Sequence, residues 1–579
     1  MTLPSSTRTS RHSVKDRLIN LQRETFSRLK MEIIEGRRGE ESAIDHYRQV
    51  YLYQVQDYER YASKNELLQS LRKASISYCG DFHTLKRAQY TACKFIDFVS
   101  EFYPKVFLAL EMIPAEYESI ANDFLRGKCS EKQFLAKIRY DELWGFPWAH
   151  YKMIFEVAKK YPNIEMVGLN TSDGGYQSLF QRDQLAMDRI VECYQKDPKA
   201  HIFCLYGDLH VAPEHIPYRV EKGFEKMGIE IPPNIIVYQN SDQIYWKLVE
   251  EEQAHLVDVV RVSRGSYCVL SSTPWVKWQS YQSWIDDQSD LLDALDEDEE
   301  FLGFENSGDL GEELRIMAES VASFLDLTIP DLENFSVYTA FDSEVIENLD
   351  EYVLELKSVK NPDAKRLLEA EMVENRSLYF TKSDAIYLLD TSEVRATEKA
   401  AQLVSAKMTQ HLSIYAKHFD RREIFYRIAI WEAIGFFGSK IVNPKRKCVQ
   451  YHDLEKTLES NKGKKLKGIR KEEKIIAKEL LKHKTYEQER IQSQKRPVPQ
   501  RKLYRLSPVL FFLAARTLGR MMGDRLYNQV AKDLVPVELI RRMFSCLSEH
   551  ESGEQTYWEL AQALHYDQMN PFLSKDDRF

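Results

Sequence analysis

Short apolar runs alternate with helix-length amphipathic stretches between residues 73 and 280. Each run has the length of one strand, and the segments between the runs carry apolar residues at the three- and four-residue spacing of a helix. This alternation predicts βαβ units, with a mainly parallel sheet and helices on both of its faces. The predicted strands are 74–79, 106–110, 164–169, 202–206, 235–238 and 267–271.

The pattern changes on either side of this α/β region. Residues 13–72 have helical spacing and predict two helices that pack on the region that follows. The stretch 281–309 is acidic, has little to bury and predicts a solvated linker. From residue 310 onward the pattern is mostly helical, with one strand predicted at 385–389. The predicted domains are therefore 1–72, 73–280, 281–309 and a mostly α-helical C-terminal domain at 310–579.

Length, charge and cysteine content narrow the class of protein. A chain of 579 residues is too long for one hydrophobic core, so several domains are expected. The net charge of -9 disfavours a general nucleic-acid binder. The eight cysteines include no Cys-x-x-Cys pair, which favours buried reduced thiols over a zinc cluster or a disulfide scaffold.

The sequence predicts neither a membrane span nor a secretion signal. The first residues lack the apolar core of a signal peptide, and no lipoprotein-type cysteine lies near them. The two most apolar helical stretches, 424–438 and 509–522, contain charged residues. We therefore expect a cytoplasmic protein.

Lysine and arginine are dense at 462–505, within the predicted helical domain. Such runs usually form a solvated helix and a flexible loop. The alternative is a surface for an anionic partner, such as a lipid headgroup or a nucleic acid, or for another protein.

The candidate chemistry begins with a repeated pattern, Gly-Asp-x-His, which ends at His83 and again at His210, each time directly after a predicted strand. Because the carboxyl ends of parallel strands meet at one edge of a sheet, both histidines and the adjacent Asp81 and Asp208 are expected to converge in one crevice. An imidazole can bind a metal or move a proton, and a neighbouring carboxylate can fix its tautomer or join the metal. The alternative is a pair of structural histidines that satisfy backbone groups.

Polar residues also follow the two strands between these copies. Glu111 comes directly after an apolar run, so it is expected to face a solvated crevice or a cation, with a structural salt bridge as the alternative. Asn170 either belongs to the site or caps a turn. Arg182 begins a helical segment, where it is predicted to clamp an anionic ligand, to pair with Glu111, or to form an ordinary surface pair.

Further candidates lie nearby. His215 follows His210 by five residues in a loop that contains Pro213. The aromatic patches 144–148 and 275–278 are predicted either to wall a hydrophobic ligand pocket or to pack as ordinary surface loops.

In their order along the chain, these segments resemble the ChaN family, which is grouped with the TraB and Tiki proteins and the erythromycin-esterase-like enzymes. The resemblance covers about 73–280 and implies a compact α/β fold with its pocket at the strand ends. ChaN proteins are haem-binding lipoproteins linked to iron uptake, Tiki-like relatives are metal-dependent proteases, and the esterase-like relatives hydrolyse a lactone. The segments that carry the resemblance are 80–83, 111–112, 144–148, 168–170, 182–187, 207–211 and 216–217.

This sequence departs from the family in three respects. Asp81 stands where members usually have Glu, which shortens the reach of that carboxylate. The lipoprotein signal is absent, which disfavours a role in iron uptake at a membrane surface. The resemblance does not account for the long helical C-terminal extension, which suggests a protein partner or a regulatory role.

Two uses of the strand-end pocket follow from the resemblance and from the residue types. The first is binding of haem or iron, with His210, His215, Tyr206 or Tyr218 as iron ligand and Asn170 at the rim. The second is metal-dependent hydrolysis of a small-molecule or peptide ligand. A divalent zinc, manganese or iron ion would activate water, and Arg182 or Asn170 would stabilise the oxyanion. The ligands of that ion would be His83, His210 and Glu111 with Asp81 or Asp208.

Two further alternatives stay open. Hydrolysis without a metal would use His83 as general base, oriented by Asp81 or Glu111. A non-catalytic scaffold would use the C-terminal helices to bind another protein.

Overall fold

The structure, a computed structural model, describes the chain in two compact units. One unit lies within Phe26–Asp298 and is called the α/β unit; the other comprises Met1–Thr25 and Glu299–Asp577 and is called the helical unit. The described residues are 19–33 except 21, 25, 28 and 32; 42–172; 178–285 except 255 and 283; 307–339 except 328, 330, 331, 333 and 334; 362–388 except 376 and 381–384; 393–460 except 410, 411 and 417; 468–492; and 501–564 except 533.

The α/β unit is built on one eight-stranded sheet. Its strands are β1 (Arg60–Ala62), β2 (Ile76–Asp81), β3 (Val106–Pro114), β4 (Ile164–Asn170), β5 (His201–Gly207), β6 (Asn234–Gln239), β7 (Val259–Ser263) and β8 (Ser266–Val269). They are ordered β1-β7-β8-β6-β2-β5-β3-β4. The six strands from β8 to β4 run parallel, and β1 and β7 pair antiparallel. The predicted α/β fold is therefore confirmed, and all six predicted strands are present.

Helices surround this sheet. They are α1 (Ser42–Gln54), α2 (Lys64–Lys73), α3 (Lys86–Phe102), α4 (Glu118–Leu125), α5 (Glu131–Lys137), α6 (Tyr140–Leu143), α7 (Trp148–Ala158), α8 (Leu179–Lys196), α9 (Ile216–Lys226) and α10 (Asp242–Glu250), with 3-10 turns at Ala115–Tyr117 and Asp208–Val211. Serine side chains cap several helix starts, because a hydroxyl satisfies a free amide of the first turn. At α8, Ser178 and Gln181 form a capping box, which fixes the start of the helix.

The sequence prediction of two helices over 13–72 is incomplete, since the described residues between 19 and 33 are helical in addition to α1 and α2. Within the described part of that range, β1 lies between α1 and α2 and joins the sheet, with Ala62 paired to Val259. A three-residue strand is too short to show a period in the sequence, and β1 is largely exposed. The strand β7 was not predicted because Arg261 interrupts its apolar residues.

Alternate side chains of the parallel strands face two different layers. Leu108, Phe203 and Val237 belong to the main apolar core, which also includes residues of α3 and α7. The neighbouring residues along each strand face the other side of the sheet. This alternation decides which polar groups at the strand ends meet.

The helical unit contains a small sheet and several helices. The strands β9 (Ser336–Thr339), β10 (Ser377–Phe380) and β11 (Ala385–Leu388) are ordered β10-β11-β9, and β11 is the strand predicted at 385–389. The helices are α11 (Ser307–Phe324), α12 (Pro362–Asn375), α13 (Glu393–Met408), α14 (Arg421–Val442), α15 (Tyr451–Ser460), α16 (Ile469–Gln492), α17 (Pro508–Val530), α18 (Val537–Ser545) and α19 (Gly553–Leu564).

Close packing of α14 on α17 forms the centre of this unit. At Gly519 a Cβ atom would collide with the backbone carbonyl of Ala429, so glycine permits the approach. Among the described residues, no helix has the length and apolar character of a membrane span.

The basic run is described only in part, as α16 and as the residues from 501 onward. Several of its cations are paired with acids; examples are Lys482 with Glu479 at 2.6 Å and Lys484 with Glu455 at 3.2 Å. Such pairing fits the predicted solvated helix, while the anionic or protein partner stays a prediction. Residues 462–467 and 493–500, together with most of the acidic stretch 281–309, lie outside the described residues.

Candidate functional site

The first Gly-Asp-x-His copy forms a hydrogen-bonded dyad at the carboxyl end of β2. The Nδ1 atom of His83 lies 3.0 Å from Oδ2 of Asp81. The Tyr151 hydroxyl donates to the same carboxylate at 2.7 Å, and the Gln89 amide donates to its other oxygen at 2.6 Å. Three partners therefore hold Asp81, which in turn fixes the orientation of the imidazole.

Glu111, in the second half of β3, lies on the other side of the His83 ring. Its Oε2 is 3.7 Å from His83 Nε2 and accepts a hydrogen bond from the Gly207 amide at 2.7 Å. Its Oε1 pairs with the Arg182 guanidinium. The predicted alternative of an Arg182–Glu111 pair is thus the arrangement found, and the charge of this buried carboxylate is compensated.

The exposure of these groups differs. Asp81 and Glu111 are 2% and 3% exposed at their side chains, whereas His83 is 22% and Arg182 is 29% exposed. Of these four side chains, His83 and Arg182 are therefore the ones with surface open to solvent.

The pKa of His83 reflects opposing influences. Burial alone would lower it, but the hydrogen bond to Asp81 and the negative charge of Glu111 outweigh burial and raise the pKa above its ordinary value. The ring is thus protonated at a higher pH than a free histidine.

Aromatic rings surround His83. The centroids of Trp144 and Phe146 each lie 4.7 Å from the His83 ring. Trp284 stacks on Phe146 at 4.7 Å and donates its Nε1–H to the Gly145 carbonyl at 3.2 Å. The first predicted aromatic patch therefore adjoins the dyad, although Trp148 instead packs among Phe124 and other core rings.

His210, in the second copy, does not bond the aspartate of its own copy. Its Nδ1 lies 2.5 Å from Oδ1 of Asp183, which is fully buried in α8. The Tyr47 hydroxyl, from α1, donates to the other oxygen of Asp183 at 3.1 Å. Because Asp183 follows Arg182 directly, α8 links the His210 dyad to Glu111.

The remaining predicted residues lie in different surroundings. His215 stacks on Tyr47 at 3.9 Å and is buried, and burial lowers its pKa to about 4. Tyr206 is fully buried with its ring 4.9 Å from the His210 ring, whereas Tyr218 is 50% exposed on α9. Asn170 ends β4 at the edge of the sheet.

Among the described residues, no group of three or more His, Cys, Asp or Glu side chains is placed so that it could hold a metal ion. His210 and Asp208, two of the predicted ligands, have other surroundings, since His210 bonds Asp183. The metal-dependent hypothesis therefore has no ligand set in the described part of the chain and stays a prediction.

Sequence reasoning missed four polar groups of this site, which are Gln89, Tyr151, Tyr47 and Asp183 as the partner of His210. Each comes from a helix, and all but Gln89 are far in sequence from the residue that they bond. The one available signal was the position of Asp183 directly after Arg182, near the start of a capped helix.

The geometry defines an α/β protein with two histidine–aspartate dyads at the carboxyl end of a parallel sheet. Residues 67–203 match the family model described as haem-binding uptake, Tiki superfamily, ChaN. The resemblance to the ChaN family is therefore confirmed over this segment, which includes His83, Glu111 and Arg182 and ends before His210.

A solved structure, described as cofacial heme binding to ChaN of Campylobacter jejuni, is also similar to this chain. The match has 13% sequence identity and a TM-score of 0.25, and covers 32% of this chain and 88% of that one. Comparison with curated proteins gave no match.

Proposed function

We propose that the α/β unit binds haem at the carboxyl ends of β2, β3 and β5, with His83 as the iron ligand. The observation that carries the proposal is the His83–Asp81 dyad: Nδ1 is held at 3.0 Å by a buried carboxylate, while the ring is 22% exposed. A carboxylate at one ring nitrogen fixes the tautomer and makes the other nitrogen a better metal ligand. The matched family model, whose description names haem binding, supports the same ligand.

The surroundings of His83 fit a flat apolar ligand with acidic side arms. Trp144, Phe146 and Trp284 offer partly buried aromatic surface beside the imidazole. Arg182 is 29% exposed and presents a cation that suits a propionate. Bound haem would supply a redox-active iron, and the protein residues would hold and orient it.

His83 suits this role better than the ligands predicted from sequence. His210 and His215 are 8% and 7% exposed at their side chains, and both lie against Asp183. Tyr206 is fully buried, and Tyr218 lies on α9 near Lys222. The buried residues His210, His215 and Tyr206 would need a larger rearrangement than His83 to reach a ligand.

Titration of the full chain with haemin tests the proposal. The wild type should give a shifted Soret band that saturates at one site, and H83A should weaken binding on the order of 10- to 100-fold. H418A, which removes a histidine that is 57% exposed in the helical unit, is the matched control and should bind as the wild type. A wild-type spectrum equal to that of free haemin would refute the proposal, and loss in H210A but not in H83A would reassign the ligand.

A second function, hydrolysis without a metal, is favoured by the same dyad. Asp81 holds His83 in the way that a carboxylate orients the general base of many hydrolases. Arg182, which lies beside Glu111, would stabilise negative charge that develops on a substrate. Hydrolysis of p-nitrophenyl acetate or a model peptide that survives chelators and is lost in H83A and D81N would support it. Equal rates in wild type and H83A would exclude it.

A further inference from the structure

Asp208 occupies the same position in the second Gly-Asp-x-His copy as Asp81 does in the first, but its surroundings differ. Asp81 bonds the histidine of its own copy, whereas His210 bonds Asp183. Asp208 is only 7% exposed, and neither of its oxygens accepts a hydrogen bond from the described residues. A carboxylate left in this state costs stability, and most buried polar groups in proteins are paired.

The Asp208 carboxylate rests directly on Gly80, at the end of β2. A Cβ atom at Gly80 would collide with Oδ1 of Asp208 and would lie 3.3 Å from Val211 Cγ2. Because side chains alternate along a strand, Gly80 faces the opposite side of β2 from Asp81. Asp208 therefore contacts the reverse side of the turn that carries the His83–Asp81 dyad.

Lys277 lies on the same side of this turn as Asp208. It is 5% exposed, and its ammonium lies 4.8 Å from the centroid of the Phe82 ring. The ammonium donates to the Asn240 carbonyl at 3.2 Å and lies 3.8 Å from Oδ1 of Asp242. The turn is thus bounded by Asp208 at Gly80 and by Lys277 at Phe82.

The charges of Asp208 and Lys277 influence each other without direct contact. Among the described residues, no ion pair within 4 Å joins these two side chains. Burial raises the pKa of Asp208 to about 6, and the charge of Lys277 opposes that rise. Asp81 adds to the rise, while His83 counters it. Asp208 therefore interacts favourably with His83 across the turn.

We propose that Asp208, balanced by Lys277, is a positioning residue that fixes the turn at 80–83 from behind and thereby sets the orientation of the His83 imidazole. This inference rests on the proposed role of His83 in haem binding. Tyr151 and Gln89 hold Asp81 on one side, and Asp208 and Lys277 confine Gly80 and Phe82 on the other. Because the turn is confined from both sides, the His83 ring is restricted to one orientation.

The test compares D208N with D242N in the full chain. Both variants remove one buried charge near Lys277, but Asp242 does not touch Gly80. D208N should weaken haemin binding on the order of tenfold, as is typical when a group behind a metal ligand is changed. D208N should also shift the imidazole NMR signals of His83 in the haem-free protein. These signals are identified as the ones that are absent from the spectrum of H83A. D242N should leave the binding and those signals at wild-type values.

A double-mutant cycle tests the role of Lys277. K277M should lower the melting temperature, because it removes the cation that balances Asp208, and D208N/K277M should recover part of that loss. Wild-type His83 signals in D208N, or equal shifts in D208N and D242N, would overturn the proposal. If the wild type binds no haemin, the proposed function fails, while the His83 signals of the haem-free variants still decide whether Asp208 positions the ring.

Discussion

At the residue scale, the properties of His83 are set by the two carboxylates on either side of its ring. Asp81 holds Nδ1 at 3.0 Å, and Glu111 Oε2 lies 3.7 Å from Nε2. Arg182 offsets the charge of Glu111, so the ring faces one tightly bonded acid and one that is already paired. In the proposed haem site, Nε2 would therefore be the nitrogen that binds iron.

The pH dependence of haemin binding follows from the raised pKa of His83. A proton on Nε2 competes with iron, so affinity should be constant above that pKa and fall about tenfold per pH unit below it. Because the pKa is raised, the fall should begin at a higher pH than for an ordinary histidine. D81N removes the bond that raises the pKa and should move the onset to lower pH.

Haemin dissociation constants measured from about pH 5 to pH 9 for wild type and D81N would check this expectation. Glu111→Gln is the matched comparison, since it removes the second influence that raises the pKa of His83 and should move the onset in the same direction. An affinity that does not vary with pH, or an onset that D81N moves upward, would contradict it.

At the element scale, side chains rather than a further strand satisfy the outer edge of β4. Asn122, from α4, donates its amide to the Met166 carbonyl at 2.9 Å and accepts from the Met166 amide at 3.0 Å. Glu118 accepts from the Gly168 amide at 3.2 Å. The edge of the sheet is thereby closed to pairing with another chain.

Replacing Asn122 with Ala should destabilise the α/β unit, because two buried backbone groups of β4 would lose their partners. The expected loss in the free energy of unfolding is about 1–3 kcal/mol. Urea denaturation followed by circular dichroism would measure it. K128A, which removes an ion pair to Asp123 of the same helix that is about half exposed, should change the stability little. Equal effects of the two variants would refute the edge-closing role.

At the scale of the whole molecule, the chain consists of two compact units. Each has buried apolar residues of its own, such as Phe203 in the α/β unit and Phe437 in the helical unit. Proteins built in this way often do not unfold in a single two-state transition. All residues of the proposed haem site belong to the α/β unit.

Calorimetry of the full chain should therefore show two unfolding transitions. Haemin should raise the midpoint of only one, because a ligand stabilises the part that binds it. N122A should lower the same midpoint, which identifies that transition as the α/β unit. If haemin raised both midpoints, or if haemin and N122A affected different transitions, haemin would bind outside the proposed site.

The sequence was most informative where strands are buried on both faces. The runs at 106–110 and 202–206 are continuous apolar segments, and both are central parallel strands. None of the strands β1, β7, β9 and β10 contains four consecutive apolar residues, so the same signal is missing there. At the site, the pairing of Glu111 with Arg182 was among the predicted alternatives, because a carboxylate after an apolar run needs a cation.

The sequence by itself determined the α/β architecture and its strand ends, since both depend on local apolar periodicity and on chain turns. It could not determine which aspartate bonds which histidine. Asp81 and Asp208 look alike in their repeated pattern, yet one bonds His83 while the other is buried against Gly80. Only the tertiary structure decided this, because the selecting partners, Tyr151 in α7 and Asp183 in α8, reach the strand ends through the packing of helices on the sheet.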